Sequence, residues 1–180
     1  LASVGEPLNP EAVVWSQEVF GQPFHDNWWQ TETGGIMIAN VAAMPVKPGS
    51  MGRPLPGYRV QITDNDGHVT KEGEVTLVLG TDRPAGLMQG YQGEDGKLSG
   101  ADGNLYRSGD VVFADDEGYL TFVGRSDDVF KSSDYRISPF ELESVLLEHE
   151  SVAEAAVVPS PDPIRLAIPK AYVLLVSGVE

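Results

Sequence analysis

The chain has 180 residues, 41% of them hydrophobic, an ordinary globular composition that can bury one respectable core or two small ones. Twelve basic residues against 27 acidic ones leave a formal charge of −15, which repels nucleic acid and anionic membrane surfaces, so neither is an expected partner. The absence of cysteine excludes disulfides, thiolate catalysis and cysteine-held zinc, and makes a reducing cytoplasm the simplest setting.

The first predicted element is a helix with Asn9 as N-cap, Pro10 at its first position, apolar residues through Phe20 and Gly21 as its stop. The run His25 to Gly35 has neither helical nor strand period and reads as a loop. From Gly49 to Val123 short alternating apolar segments predict a β-rich subdomain. Its strands are expected at Arg59–Thr63, Glu74–Leu79, Asp110–Ala114 and Tyr119–Val123, with hairpin signals at Asp64–Gly67 and Asp115–Gly118. The Gly-rich stretch from Gly86 to Gly103 reads as a long surface connection.

Past Arg125 the period changes. Ser138-Pro139-Phe140-Glu141 is a capping box, and Leu142, Val145, Leu146 and His149 recur on one face, predicting a helix near 139–149. Strands are expected at Val152–Val158 and Ala171–Val176, separated by the turn-rich Pro159–Pro163. The fold class is therefore α+β: a distorted, barrel-like β-rich subdomain of a larger domain (residues 1–126), then the start of a small α+β domain (127–180). The longest apolar runs, such as Ala171–Val176, fall far short of the roughly 20 residues of a membrane helix. No signal peptide is visible, and the start at Leu1 rather than Met suggests a processed or truncated product.

The most distinctive stretch is Asp26-Asn27-Trp28-Trp29-Gln30-Thr31-Glu32-Thr33-Gly34-Gly35. Thr31 could hydrogen-bond a phosphate oxygen, Glu32 could hold a magnesium ion, and the glycines could let backbone approach a ligand; equally, the tryptophans could anchor a buried loop with Glu32 merely solvated. His25, His68 and His149 are too scattered to suggest a zinc cluster.

This run resembles the adenylate-forming superfamily, and especially the Trp-Trp-Gln-Thr-Glu-Thr-Gly-Gly signature of acetyl-CoA synthetases. Four further segments match in family order: Ser3-Val4-Gly5-Glu6-Pro7, Gly73-Glu74, Tyr106-Arg107-Ser108-Gly109-Asp110 and Gly124-Arg125-Ser126-Asp127-Asp128. The resemblance spans essentially the whole chain. It implies an AMP-forming acyl-CoA synthetase that binds ATP/AMP, Mg2+ and coenzyme A.

By that resemblance Gly5, Glu6 and Pro7 line the adenine pocket, continued by Asp26, Asn27, Trp28, Trp29, Gln30 and Thr31, with Thr31 and Glu32 as catalytic residues and Glu32 as metal ligand. Trp29 closes the acyl pocket and so favours acetate or propionate, and Asp110 accepts from the ribose hydroxyls. Arg125 contacts the ribose, Arg136 faces the phosphates, Asp127 is the hinge and Ser133 lies near CoA. Read without the resemblance, Asp110 is a hairpin-edge acid, the two arginines are solvated, Ser133 is a loop serine and His149 is a helix-end histidine. By resemblance His149 would share a structural cation with carbonyls at Leu147 and Val152.

Two features depart from the acetyl-CoA synthetase pattern. Ser133-Asp134-Tyr135-Arg136 stands where those enzymes read Ser-Gly-His-Arg, which bears on the CoA assignment more than on the adenylate one. Tyr135-Arg136-Ile137 and Ser160-Pro161-Asp162-Pro163 are more similar to medium-chain acyl-CoA synthetases. The family's phosphate loop would lie upstream of Leu1 and its catalytic lysine downstream of Glu180, so the fragment alone is expected to be inactive. Alternatives are a non-catalytic acidic protein-interaction module and an acyl- or aryl-AMP ligase serving a carrier protein; a homo-oligomer is compatible with either.

Overall fold

The computed structural model describes residues 1–81, 83–101, 103–133 and 135–178. Helix α1 spans Pro10–Phe20 with the predicted caps: Asn9 Oδ1 accepts from Glu11 N at 2.8 Å, and Gly21 takes a left-handed φ of 69°. It buries only Val13 and Ser16, whose hydroxyl accepts from Phe24 N at 2.8 Å; Trp15 and Phe20 meet edge-to-face on its exposed side.

The strands follow as β1 (Asn27–Trp28), β2 (Ile38–Ala39), β3 (Ser50–Pro54), β4 (Val60–Thr63), β5 (Glu72–Val78), β6 (Tyr91–Gln92), β7 (Leu98–Ser99), β8 (Leu105–Ala114), β9 (Leu120–Arg125), β10 (Phe130–Ser132) and β11 (Tyr135–Ile137). After them come helix α2 (Pro139–Leu147) and strands β12 (Val152–Asp162) and β13 (Leu166–Leu175). Two compact units result, Leu1–Phe122 and Val123–Glu180, the division falling inside β9; the sequence reading put it between Ser126 and Asp127.

In the first unit β1-β2-β3-β9-β8-β5-β4 form one seven-stranded sheet. Its core gathers inward residues of those strands, including Ile38, Val75, Leu77 and Val112, with Met37 just before β2, each essentially inaccessible to water. Both predicted hairpin turns are present. Asp64 Oδ1 accepts from Asp66 N and His68 N, and Asp115 Oδ1 accepts from Glu117 N and Tyr119 N, so each aspartate nucleates its turn through its side chain. Asp64 Oδ2 also meets His68 Nδ1 at 3.4 Å, which gathers Asp64, Asp66 and His68 on an exposed turn.

The structure corrects three expectations. The run 25–35 is not wholly loop, because Asn27–Trp28 pairs antiparallel with Ile38–Ala39 and enters the sheet. Residues 86–103 are not a surface excursion throughout: they carry the β6–β7 hairpin and sink Leu87 and Ala101 into the core. Prolines at 159 and 161 do not end β12, which continues to Asp162 with Pro159 facing Pro169 of β13. A two-stranded ribbon leaves outward-facing backbone groups unpaired, so proline costs no ladder bond there.

The second unit pairs β10 with β11 and β12 with β13. Ser138 caps α2, accepting from Glu141 N at 3.2 Å, as the capping signature predicts. The helix is joined to β12 where Val157 N donates to Glu143 Oε1 at 2.7 Å. Among the described residues of this unit Val157 is the one strongly buried apolar side chain, while Tyr172 and Leu174 stay exposed. Among the described residues no helix is long and apolar enough to cross a membrane.

Candidate adenylate site

The site is built on a distortion in β8. Opposite β5 the register runs from Glu74↔Val111 to Thr76↔Arg107, so Ser108, Gly109 and Asp110 face a single residue across the ladder. Such a bulge bends the strand and re-aims a side chain, and here it turns Asp110 inward beside Val111 and Val112. Gly109 permits it with φ 78°, a conformation that other residues adopt only with strain.

Glu74 clamps the bulge from β5. Its Oε1 accepts from Gly109 N at 2.7 Å and its Oε2 from Arg107 Nε at 2.7 Å, with Arg107 Nη2 also on Oε2 at 2.5 Å. The Glu74 side chain is 11% exposed while that of Arg107 is 42% exposed, so the clamp sits at the edge of solvent with its carboxylate end largely covered.

Asp110, 7% exposed, receives the loop that follows β1. Its Oδ2 accepts from Trp28 Nε1 at 2.8 Å and from Gln30 Nε2 at 2.7 Å. Gln30 Nε2 also donates to Ser108 O at 2.9 Å, and its Oε1 accepts from Tyr106 OH at 2.7 Å. Gln30 is thus the tie between the aromatic loop and the Tyr106–Asp110 strand, and Gln30 and Trp28 orient the carboxylate as neutral donors. The sequence left two roles open for the tryptophans, lining the adenine or anchoring a buried loop. Trp28 is a core residue whose indole N–H anchors Asp110, and Trp29 is 43% exposed.

Thr31–Thr33 form a single 3-10 turn, with Thr33 Oγ1 accepting from Gln30 N at 2.9 Å. Glu32 is held from the opposite side, its carbonyl accepting from Met88 N at 2.7 Å and its Oε1 from Tyr91 OH at 2.5 Å. Gly34 closes the turn at φ 64°, so near Gly86 that a Cβ there would lie 2.2 Å from the Gly86 carbonyl oxygen. A carboxylate such as Glu32's offers the oxygen ligands that Mg2+ takes, one or two from protein together with waters and substrate phosphates.

The segment carrying Gly5, Glu6 and Pro7 lies along the same loop. Ser3 N donates to His25 O at 3.0 Å, Asn27 Nδ2 to Ser3 O at 2.6 Å and Leu8 N to Asp26 Oδ2 at 3.4 Å. Burial pushes the Asp26 carboxyl above its ordinary value, against the opposing pull of the backbone N–H groups of Asn27 and Leu8. The Asn27 side-chain oxygen is buried without a hydrogen-bond partner.

Thr31, Glu32 and Asp110 are therefore brought together in the first unit. Arg125, Asp127, Ser133 and Arg136 belong to the second. There Arg125 Nε donates to Asp127 Oδ1 at 3.1 Å, and Arg136 lies exposed on β11 opposite Lys131. Ser133 takes φ 54° with its N–H on Arg165 O at 3.0 Å. Asp134 lies outside the described residues. His149 Nδ1 accepts from Ser151 N at 3.2 Å, and Val152 N donates to His149 O.

The AMP-binding enzyme family matches residues 1–92, and the AMP-binding enzyme C-terminal domain matches residues 141–180. The chain belongs to the AMP-binding enzyme family. It is 43% identical over 183 residues to the acetyl-coenzyme A synthetase of Bacillus subtilis (strain 168), covering 99% of this chain and 32% of the relative. It is 46% identical over 182 residues to 4-hydroxybutyrate–CoA ligase 1 of Metallosphaera sedula, with the same two shares. The o-succinylbenzoate coenzyme A synthetase of Bacillus subtilis, solved with ATP and a magnesium ion, is similar with a TM-score of 0.82 and 29% identity, over 98% of this chain and 36% of that one. The chain thus spans about a third of the length of the curated relatives it matches.

Two connections in the site escaped sequence reasoning. Glu74 was matched only as half of a Gly-Glu pair, and its grip on Arg107 and Gly109 depends on a strand register that no local pattern reveals. Tyr91 gave no signal because it lies in a glycine-rich stretch without periodicity.

Proposed function

We propose that the complete protein carrying this chain is an AMP-forming acyl-CoA synthetase acting on a short carboxylic acid. The observation that carries this reading is the double anchoring of Asp110 by Trp28 and Gln30, which fixes an inward carboxylate beside the Thr31–Glu32 turn. In the first step the acid's carboxylate oxygen attacks the α-phosphorus of ATP, expelling pyrophosphate and leaving acyl-adenylate. The CoA thiol, losing its proton, then attacks the acyl carbon and AMP departs as the leaving group.

Asp110 accepts from the ribose hydroxyls and so fixes the nucleotide's position, which is where much of the rate gain in such a displacement originates. Thr31 donates its hydroxyl to a phosphate oxygen, and the Glu32 carboxylate would hold Mg2+. The metal supplies charge compensation at the phosphates. Gly5, Glu6, Pro7 and Asp26 border the adenine. Arg125 and Arg136 serve the ribose and phosphate, Ser133 the CoA, and Asp127 the pivot about which the second unit rotates between the two steps.

Trp29 supports the short acid, because an indole occupies the volume an alkyl chain would need. The relatives differ on this point, their names running from an acetyl to a 4-hydroxybutyrate ligase. Pyrophosphate exchange by the complete protein across acids of two to eight carbons tests the reading, with acetate or propionate expected to lead. A preference for octanoate would overturn the short-acid assignment, and no exchange with any acid would favour a non-catalytic role.

A further inference from the structure

We infer that Tyr91 is a positioning residue that presents the Glu32 carboxylate to the metal of a metal–nucleotide complex, an inference that rests on the ligase reading. Glu32 lies on a single 3-10 turn, whose backbone hydrogen bonding alone does not fix a long, flexible side chain. The segment Gly86–Tyr91 supplies that restraint. Gly86 backs directly onto Gly34, Met88 N holds the Glu32 carbonyl at 2.7 Å, and Tyr91 OH donates to Glu32 Oε1 at 2.5 Å. Backbone and side chain of one residue are thus gripped by the same strand-entering segment.

The chemistry of the donor matters. A phenol fixes the plane of a carboxylate without cancelling its charge, whereas a lysine or arginine in the same place would compete with the cation. The Tyr91 hydroxyl by itself does not saturate the group, since an ionised carboxylate offers about four lone-pair sites. Nor does packing account for the tyrosine, because its residue is 54% exposed and lies outside the core cluster. An exposed aromatic whose hydroxyl reaches a carboxylate 59 positions earlier is better explained by orientation than by burial.

The test uses the complete protein and Tyr91→Phe. ATP binding is measured by calorimetry at increasing MgCl2 without any acid substrate, and AMP binding is measured separately in EDTA. A hydrogen bond of ordinary net strength predicts that the Mg2+ concentration for half-maximal ATP binding rises about three- to tenfold. AMP affinity without metal and Tm should stay unchanged, which a merely structural tyrosine would not allow. In a Glu32→Gln background Tyr91→Phe should shift nothing further. Superimposable Mg2+ titrations of wild type and Tyr91→Phe, or an equal loss of metal-free AMP affinity, would overturn the inference. Wild-type protein whose ATP binding ignores Mg2+ would overturn the ligase reading and this inference together, an outcome visible before any variant is made.

Discussion

Gln30 Nε2 lies 2.7 Å from Asp110 Oδ2, and this bond joins the aromatic loop to the bulged strand. Asp110→Asn keeps an oxygen for Trp28 and Gln30 but loses the charge that the proposed function offers to the ribose. ATP affinity should fall about 10- to 100-fold, the value of a hydrogen bond to a charged group, with little change in Tm. Gln30→Ala should do the reverse in part, lowering Tm because Tyr106 OH and the buried Asp110 both lose a partner, at a cost of about 1–3 kcal/mol. Thermal melts and ATP titrations on the two variants separate these outcomes; equal Tm losses would contradict the division of roles.

Glu74 touches no part of the proposed nucleotide, yet Glu74→Ala should reduce ATP affinity as well as stability. Removing it frees the Gly109 N–H and leaves Arg107 without its carboxylate, a loss of about 2 kcal/mol for charge-assisted bonds. Arg107→Ala spares the bond to Gly109 and should lower Tm with a smaller effect on ATP. Should both variants bind ATP equally well, Glu74 is not what holds the bulge in place.

Gly34→Ala places a methyl group 2.2 Å from the Gly86 carbonyl oxygen at a φ of 64°. Backbone strain alone costs about 1–3 kcal/mol, and displacing Gly86 would also pull Met88 and Tyr91 from Glu32. Chemical denaturation should show a loss of about 2 kcal/mol or more. Gly35→Ala, with open space around the added carbon, is the control and should leave stability nearly unchanged.

Asp26 gives a pH signature with a defined sign. Its folded-state pKa is raised by burial above the ordinary 3.8, so the folded chain holds the proton more tightly than the unfolded chain. The resulting stabilisation is complete below the unfolded value and is lost as pH rises through the folded one. Asp26→Asn cannot titrate, so the Tm of the variant minus that of wild type should fall as the pH is lowered through that window. A pH-independent difference would show that burial does not act on this carboxyl.

The elements legible in the sequence were those specified locally. Asn9-Pro10 with Gly21, and Ser138-Pro139 with Glu141, fix both helices through caps that need only neighbouring residues. The turns at Asp64 and Asp115 are equally local. What stayed hidden depends on long-range pairing: the two-residue strands at 27 and 38, too short to show alternation, and the bulge at Gly109, visible only once β5 lies alongside. The site residues came into view through order and resemblance. Their connections through Gln30, Glu74 and Tyr91 required the coordinates.

The bonds from Trp28 and Gln30 reach partners 82 and 80 positions further along the chain. Contacts that close loops so long come at an entropic disadvantage until the intervening strands have paired. The Trp28–Gln30–Asp110 cluster should therefore assemble late in refolding, after the β4–β5 and β8–β9 hairpins. Added ATP should then act as a brake on unfolding while leaving the refolding rate untouched, which stopped-flow fluorescence from the three tryptophans can follow.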